Sequence, residues 1–252
     1  MNEQTIARIL NETAYVRTGG SQQELTAAKY IQNECRKLGA DAVLVPFEVD
    51  MSDMHKSVFC ADGKEIPCKG YLCAGSGTVE APFYYLKDNS AHALSQCKGK
   101  IVMIDGYLGY WKYQDLLEHG AVGFITYDGN ANYADCDIDQ RELRSYVSNG
   151  NVIPGVNINA KDAITLVRDR VKTVSIQLDQ TEYKANSHNV ILDLPGECPE
   201  YIVLSAHYDS TSLSQGSYDN MSGSIGLLAM AEQFMTKPHR YGLRFIWCGS
   251  EE

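Results

Sequence analysis

The chain has 252 residues, of which 44% are hydrophobic and 21% are charged. This composition is typical of a globular protein with room for one large domain or two smaller ones. The formal net charge is −10 and the chain has no basic run, which argues against nucleic acid and anionic membranes as partners and favours a bound cation. The N-terminus is amphipathic and no apolar run is long enough for a membrane span, so we expect a cytoplasmic protein.

Eight cysteines are spread along the chain, and no two of them form a CxxC pair. A chain of this length without a secretory signal is expected to keep its thiols reduced. Free cysteines are usually buried and behave as small apolar residues. We therefore interpret these cysteines as structural rather than as metal ligands or redox groups.

The first sixty residues predict two helices and a strand. Apolar residues keep helical spacing over 6–13 and again over 25–38, where Gly39 ends the second helix. The valines and the phenylalanine of 43–49 alternate with other residues as in a β-strand, and Pro46 within it favours an edge position.

From about residue 62 the sequence pattern predicts short strands mixed with short helices. Strands are predicted at 99–104, 121–127, 151–159 and 172–178, and helices at 110–120 and 160–170. The polar segment 128–140 is predicted to be a loop. Together these elements predict a compact α/β module between the N-terminal helices and the last part of the chain.

The last part of the chain predicts a βαβ unit, with strands at 201–206 and 243–248 around a helix at 222–235. The first strand is almost continuously apolar, which predicts burial on both faces. A crossover through a helix makes the two strands parallel. Their carboxyl ends then lie at one edge of the sheet, where open α/β sheets bind ligands.

Polar residues converge at this edge. His207 and Asp209 follow the first strand, Glu251 and Glu252 follow the second, and Asp219 lies at the entry to the helix between them. Taken singly, each residue has a plain structural explanation in a turn, at a helix N-terminus or in a solvated tail. Four neighbouring carboxylates repel one another, so their convergence with an imidazole predicts a divalent cation: zinc, or else cobalt or manganese.

The order of the residues suggests a division of roles in a two-metal site. Asp219 stands between the two strand ends and is the natural bridge between the ions. His207 would then hold one ion, one of the paired glutamates would hold the other, and the second glutamate would act as a general base. Asp209 is placed to accept a hydrogen bond from the other ring nitrogen of His207.

The segments "VLSAHYDS", "YDNMSGSIGLL" and "LRFIWCGSEE" resemble the metal-site signature of the M28 zinc metallopeptidases. The segments "GKIVMI", "GAVGFITYDG" and "IPGVNIN" are similar to the protease-associated (PA) domain inserted in many members. The resemblance implies a three-layer, phosphorylase/hydrolase-like α/β fold with a mixed sheet. The peptidase domain would comprise 1–61 and 185–252 and be incomplete at its C-terminus, and 62–184 would be the PA insertion.

The resemblance also implies residue roles. His207 would ligate one zinc ion, Glu252 the other, and Asp219 would bridge the two. Glu251 would be the general base, and Asp209 would orient His207. In several members the peptide bond after the bridging aspartate is cis, which places the same expectation on Asp219–Asn220.

The family completes its site with an acidic residue and a histidine downstream of the glutamate pair, and this sequence contains no such residues. His239 cannot replace the histidine because it precedes the second strand, at the opposite edge of the sheet. The resemblance therefore predicts an aminopeptidase acting on peptides, present here as an inactive fragment. The alternatives are a non-catalytic PA/peptidase-like binding module, a carboxypeptidase or a glutaminyl-cyclase-type enzyme, and the oligomeric state is left open.

Overall fold

The computed structural model describes residues 1–252. Its helices are α1 Glu3–Glu12, α2 Gln22–Lys37, α3 Ala91–Leu94, α4 Tyr110–Glu118, α5 Ser145–Ser148, α6 Ala160–Arg168 and α7 Ser222–Phe234, the last preceded by a kinked turn at Ser217–Met221. Its strands are β1 Val43–Ala61, β2 Lys64–Ile66, β3 Cys68–Gly70, β4 Gly77–Leu86, β5 Ile101–Ile104, β6 Gly123–Asp128, β7 Gly155–Asn159, β8 Thr173–Leu194, β9 Tyr201–His207 and β10 Gly242–Cys248.

The chain divides into two compact units. Met1–Val49 and Lys184–Glu252 form one, here called the terminal unit, and Asp50–Tyr183 forms the other, the middle unit. Strand β1 spans the first division and β8 spans the second. Because β1 continues without a break past residue 49, the sequence composition changes only later and predicts the first division at 61/62. The identity of the middle unit as a PA domain stays a prediction.

The two predicted N-terminal helices are present, and each begins at a side-chain cap. The Asn2 side chain accepts a hydrogen bond from the Thr5 amide, and the Ser21 hydroxyl accepts one from the Glu24 amide. These caps satisfy amide groups that a helix start leaves unpaired. Ile9 and Ile31 are fully buried on the predicted apolar faces. No helix in the structure combines the length and the apolar character needed to cross a membrane.

Strand β10 lies at the centre of the terminal unit's sheet. It pairs in parallel with β9 and antiparallel with β8, so the sheet is mixed as expected. Leu192, Phe245 and Trp247 lie on one face, are nearly or fully buried, and pack against α1, α2 and α7. On the other face Arg244, Ile246 and Cys248 are only half-buried.

The prediction that the first strand of the βαβ unit is buried on both faces is wrong. Tyr201, Ile202 and Val203 are 42%, 50% and 55% exposed. Strand β9 is hydrogen-bonded only to β10 and therefore forms an edge of the sheet. Val43 and Val45 in β1 are also exposed, although their alternation is typical of a buried strand face. An apolar run reports composition, whereas burial depends on which elements pack against it.

The middle unit is an α/β module with strand order β8-β4-β5-β6-β7-β3. Strands β5, β6 and β7 are parallel, and β4 pairs antiparallel with β8 before it pairs in parallel with β5. Side chains of β5 alternate between two hydrophobic clusters, with Val102 and Ile104 in one and Ile101 and Met103 in the other. Helices α3 and α5 and strands β2 to β4 were missed because each is short or lacks a clear period.

All eight cysteines are free. Burial raises the pKa of the Cys35 thiol to about 12 and that of Cys68 to about 11. Thiols with such pKa values carry little thiolate at neutral pH and react slowly.

Two valines in the terminal unit's sheet make a matched test of the core. Val190 is fully buried, whereas Val203 is 55% exposed at the edge. We expect Val190→Ala to lower the free energy of unfolding by about 2 kcal/mol, because two buried methyl-sized groups and the space they fill are lost. Val203→Ala is expected to change it by less than about 0.5 kcal/mol. Urea denaturation of both variants measures the difference, and equal losses would contradict the assignment of β9 as an edge.

Candidate metal centre

The predicted site residues lie together at the carboxyl ends of β9 and β10 in the terminal unit's sheet. His207 ends β9 and is paired in register with Cys248, the last residue of β10. The two strands therefore end side by side, and Glu251 and Glu252 follow β10 after a two-residue turn. Asp219 lies in the kinked turn that leads into α7, and its backbone dihedrals are not helical. The peptide bond between Asp219 and Asn220 is cis, as the resemblance implies.

The distances show how closely these side chains approach. His207 Nε2 lies 2.9 Å from Asp219 Oδ1 and 3.8 Å from Glu251 Oε2. One candidate ligand atom each from His207, Glu251 and Glu252 lies within 4.8 Å of the others. One imidazole nitrogen and the oxygens of two carboxylates therefore lie within the reach of a single small cation, and the Asp219 carboxylate lies against the same imidazole nitrogen.

Asp209 lies behind this cluster and is completely buried. Its Oδ2 atom accepts a hydrogen bond of 3.1 Å from the Glu252 amide. Its Oδ1 atom lies 3.3 Å from His207 Nδ1, without the alignment of a hydrogen bond, and neither of these two atoms has another partner. The Asp209 carboxylate thus contacts the ends of both strands. The other ring nitrogen of His207, Nε2, is directed at Asp219 and Glu251.

The carboxylates of the site face solvent, whereas the histidine does not. The side chains of Asp219 and Glu251 are 70% and 60% exposed, and that of His207 is 10% exposed. Loss of hydration at the cluster raises the pKa of Glu252, and the charges of Asp219, Asp209 and Glu251 raise it further, against the opposing effect of His207. The cluster is therefore an excess of negative charge at an accessible edge.

This donor set fits a divalent transition metal. Imidazole nitrogen and carboxylate oxygen are ligands of zinc, cobalt and manganese, and a cation would offset the repulsion among the carboxylates. His207, Asp219, Glu251 and Glu252 are the residues able to hold it. None of the other five histidines belongs to the cluster; His239 Nδ1, for example, lies 2.7 Å from the Tyr241 carbonyl oxygen, before β10 begins.

Two residues that sequence reasoning missed, Ser224 and Trp247, hold the His207 backbone in place through hydrogen bonds. The Ser224 hydroxyl on α7 donates to the His207 carbonyl at 2.9 Å, and Trp247 Nε1 donates to the Ser224 carbonyl at 2.9 Å. These bonds join the crossover helix to both parallel strands. Nothing in the local sequence marks Ser224, since a serine inside a helix is more often a solvated residue.

A third buried residue, Glu24, lies against the turn that precedes the glutamate pair. Glu24 has no exposed surface and accepts hydrogen bonds from the Gly20 amide and from the hydroxyls of Ser187 and Tyr208. Burial raises its pKa. A Cβ atom on Gly249 would overlap Glu24 Oε1 and would lie 2.8 Å from the His188 carbonyl oxygen. The S-x-x-E spacing of Ser21 and Glu24 is typical of a helix start, but it does not reveal this contact.

Comparison with known proteins agrees with this geometry. Residues 189–252 match the model of peptidase family M28. This segment contains every residue of the cluster. We call residues 189–252 the M28 segment, after the family model that they match.

The M28 match extends to curated relatives over nearly the whole chain. Aminopeptidase YwaD of Bacillus subtilis is 28% identical over 256 aligned positions, which cover 96% of this chain and 53% of the relative. Probable leucine aminopeptidase 2 of Arthroderma benhamiae is 22% identical and is matched over 94% of this chain and 48% of its own length. The chain thus spans about half the length of the curated relatives it matches.

Solved structures confirm the mixed α/β fold. A zinc aminopeptidase from Bacillus subtilis is similar with a TM-score of 0.74 and 26% identity, covering 99% of this chain and 60% of that one. An aminopeptidase from Aneurinibacillus sp. strain AM-1 has a TM-score of 0.76 at 19% identity and is matched over 63% of its chain. The predicted resemblance to zinc aminopeptidases of family M28 is confirmed.

Two glycines of the M28 segment test how tightly the turn before Glu251 is packed. Gly249→Ala is expected to lower the free energy of unfolding by roughly 1–3 kcal/mol, because the added methyl group meets Glu24 and backbone and must displace them. Gly226→Ala, inside α7 with open space around it, is expected to raise it by about 0.5–1 kcal/mol. Denaturation curves give both values, and a neutral Gly249→Ala would show that the turn is loosely packed.

Proposed function

We propose that this chain is the metal-binding part of a zinc-dependent exopeptidase of the aminopeptidase type. The observation that carries the proposal is the convergence of His207, Asp219, Glu251 and Glu252 at the carboxyl ends of two parallel strands. The M28 segment and the relatives named as aminopeptidases support it. A peptide is the proposed substrate.

We assign His207 and Glu252 as ligands of two different zinc ions, with Asp219 as the bridge between them. The support is that His207 Nε2, the ring nitrogen not facing Asp209, is the one that approaches Asp219. Zinc bound there would polarise the scissile carbonyl and lower the pKa of a water molecule to about 7.

Glu251 is the proposed general base. It is one of the exposed carboxylates of the cluster, so it can reach a substrate at the open edge. Its carboxylate would take the proton from the attacking water and pass it to the leaving amine. Asp209 would hold the His207 ring through Nδ1 and keep the Glu252 backbone in place through the bond it already accepts.

The residues of this chain alone leave each zinc ion short of ligands. If Asp219 were shared, each ion would have about two protein ligands, whereas catalytic zinc is held by three with a further position for water. We propose that polypeptide outside these 252 residues supplies an acidic residue and a histidine. This agrees with the relatives, which are about twice as long as the matched region.

Metal binding by residues 1–252 is the first test. We expect weak binding of Zn²⁺ or Co²⁺ that His207→Ala reduces at least tenfold, because the single nitrogen ligand is lost. His239→Ala is the matched control, since this histidine lies at the opposite edge of the sheet, and we expect unchanged affinity. Titration with Co²⁺ followed by its visible absorption gives both dissociation constants. Equal affinities for the two variants would contradict the proposed ligand set.

Hydrolysis is the second test. Residues 1–252 with added zinc are expected to leave aminoacyl-nitroanilides intact, whereas the complete polypeptide is expected to hydrolyse them. In the complete polypeptide, Glu251→Gln should lower kcat by a factor of roughly 100 to 10,000 while zinc stays bound, because only the proton acceptor is removed. Robust hydrolysis by residues 1–252 would refute the incomplete site. A complete polypeptide without zinc would favour a non-catalytic binding module.

A further inference from the structure

Arg17 is a fully buried arginine in the segment between α1 and α2. Its guanidinium group donates only to backbone carbonyl oxygens, five in all, with the two N–H groups of Nη1 shared among three of them. They belong to Thr13, Tyr15, Tyr208, Gln215 and Gly216. Burying a charge is unfavourable unless its hydrogen-bonding groups are satisfied. The burial of Arg17 among carbonyl acceptors therefore indicates that its planar guanidinium group has a specific role.

Three of the five carbonyl groups lie in the segment 208–216, which joins His207 to Asp219. Tyr208 stands at the start of this segment, and Gln215 and Gly216 stand at its end. One rigid planar group thus binds both ends of the loop that separates two of the proposed metal ligands.

The Arg17 backbone binds the same loop two residues after its start. Its amide donates to the Ser210 hydroxyl at 3.0 Å, and its carbonyl accepts from the Ser210 amide at 3.3 Å. The loop is therefore held over its first three residues and at its end by a single residue that lies about 190 positions away in the sequence.

Charge links Arg17 to the site as well. Burial lowers the pKa of its guanidinium group, and the buried Asp209 carboxylate opposes that shift. An arginine stays protonated at any physiological pH, so Arg17 provides positive charge near Asp209. That carboxylate in turn contacts His207 and the Glu252 amide.

The residues after Arg17 reach the turn that carries the glutamate pair. A Cβ atom on Gly19 would overlap Ser250 Oγ and would lie 2.8 Å from Ser250 Cβ. The backbone of this short segment therefore packs directly against the residue before Glu251. One N-terminal segment contacts both ligand-bearing parts of the M28 segment.

We propose that Arg17 is a positioning residue that sets the separation of His207 and Asp219 and thereby the affinity of the site for metal. The inference rests on the proposed metal centre. A lysine could provide the charge but not five donors in one plane, so the proposal requires the guanidinium group itself. A purely structural Arg17 would contribute to stability and leave the affinity of the folded protein unchanged.

The test compares Arg17→Met and Arg17→Lys with Arg244→Met and Arg244→Lys in residues 1–252. Arg244 is the control because its guanidinium group is partly exposed on β10 and binds the Asp193 side chain. Amide hydrogen exchange is measured without metal. We expect exchange in 208–217 to rise at least tenfold in both Arg17 variants, with protection in the middle of α7 kept and both controls unchanged.

Co²⁺ titration at a temperature where every variant is folded is the decisive measurement. We expect Arg17→Met to weaken Co²⁺ binding about 10- to 100-fold and to change the visible spectrum, the size seen when residues behind metal ligands are removed. Arg17→Lys should recover little of the affinity. Wild-type affinity and spectrum in Arg17→Met would overturn the proposal, whatever the loss of stability.

Ser210→Ala covers the case in which the Arg17 variants do not fold. It removes the hydroxyl that accepts from the Arg17 amide and leaves the guanidinium group in place, and we expect a smaller change in the same direction. If wild-type residues 1–252 bind no Co²⁺, the proposed metal centre fails. The exchange data then decide on Arg17, since unchanged exchange in 208–217 would overturn its positioning role.

Discussion

The parallel pairing of β9 with β10 is the constraint on which the site depends. It sets His207 beside Cys248, so that whatever follows the two strands must share one edge of the sheet. The crossover through α7 makes this pairing parallel, and the bonds from Ser224 and Trp247 fix the helix to both strands. The position of Asp219, at the entry to that same helix, follows from the same crossover.

The site is a local exception to the rule that like charges are kept apart. Four carboxylates and one imidazole lie where only two strand ends and a turn hold them. The scaffold offsets part of the repulsion with the buried Arg17 and with backbone donors such as the Glu252 amide. The remainder is what a divalent cation would neutralise. Strand β9, which ends at His207, is also an exposed, apolar outer strand of the same sheet.

Much of the site was predictable because its residues directly follow periodic elements. Two short apolar strands around a helix suffice to place His207, Asp219 and the glutamate pair on one edge. The supporting residues were not predictable in this way. Arg17, Glu24 and Ser224 lie in ordinary loop or helix contexts, and their burial arises from contacts with segments far away in the sequence.

The sequence by itself determined the five longer helices, most of the strands and the residue types at the candidate metal centre, because periodicity, caps and turn residues act over a few positions. Only the tertiary structure decided which apolar strand was an edge, where the two units divide, and which buried charge supports the loop from His207 to Asp219. Those features depend on packing between distant segments, such as Arg17 and Gly216, which are 199 residues apart, and no local pattern encodes which of them meet.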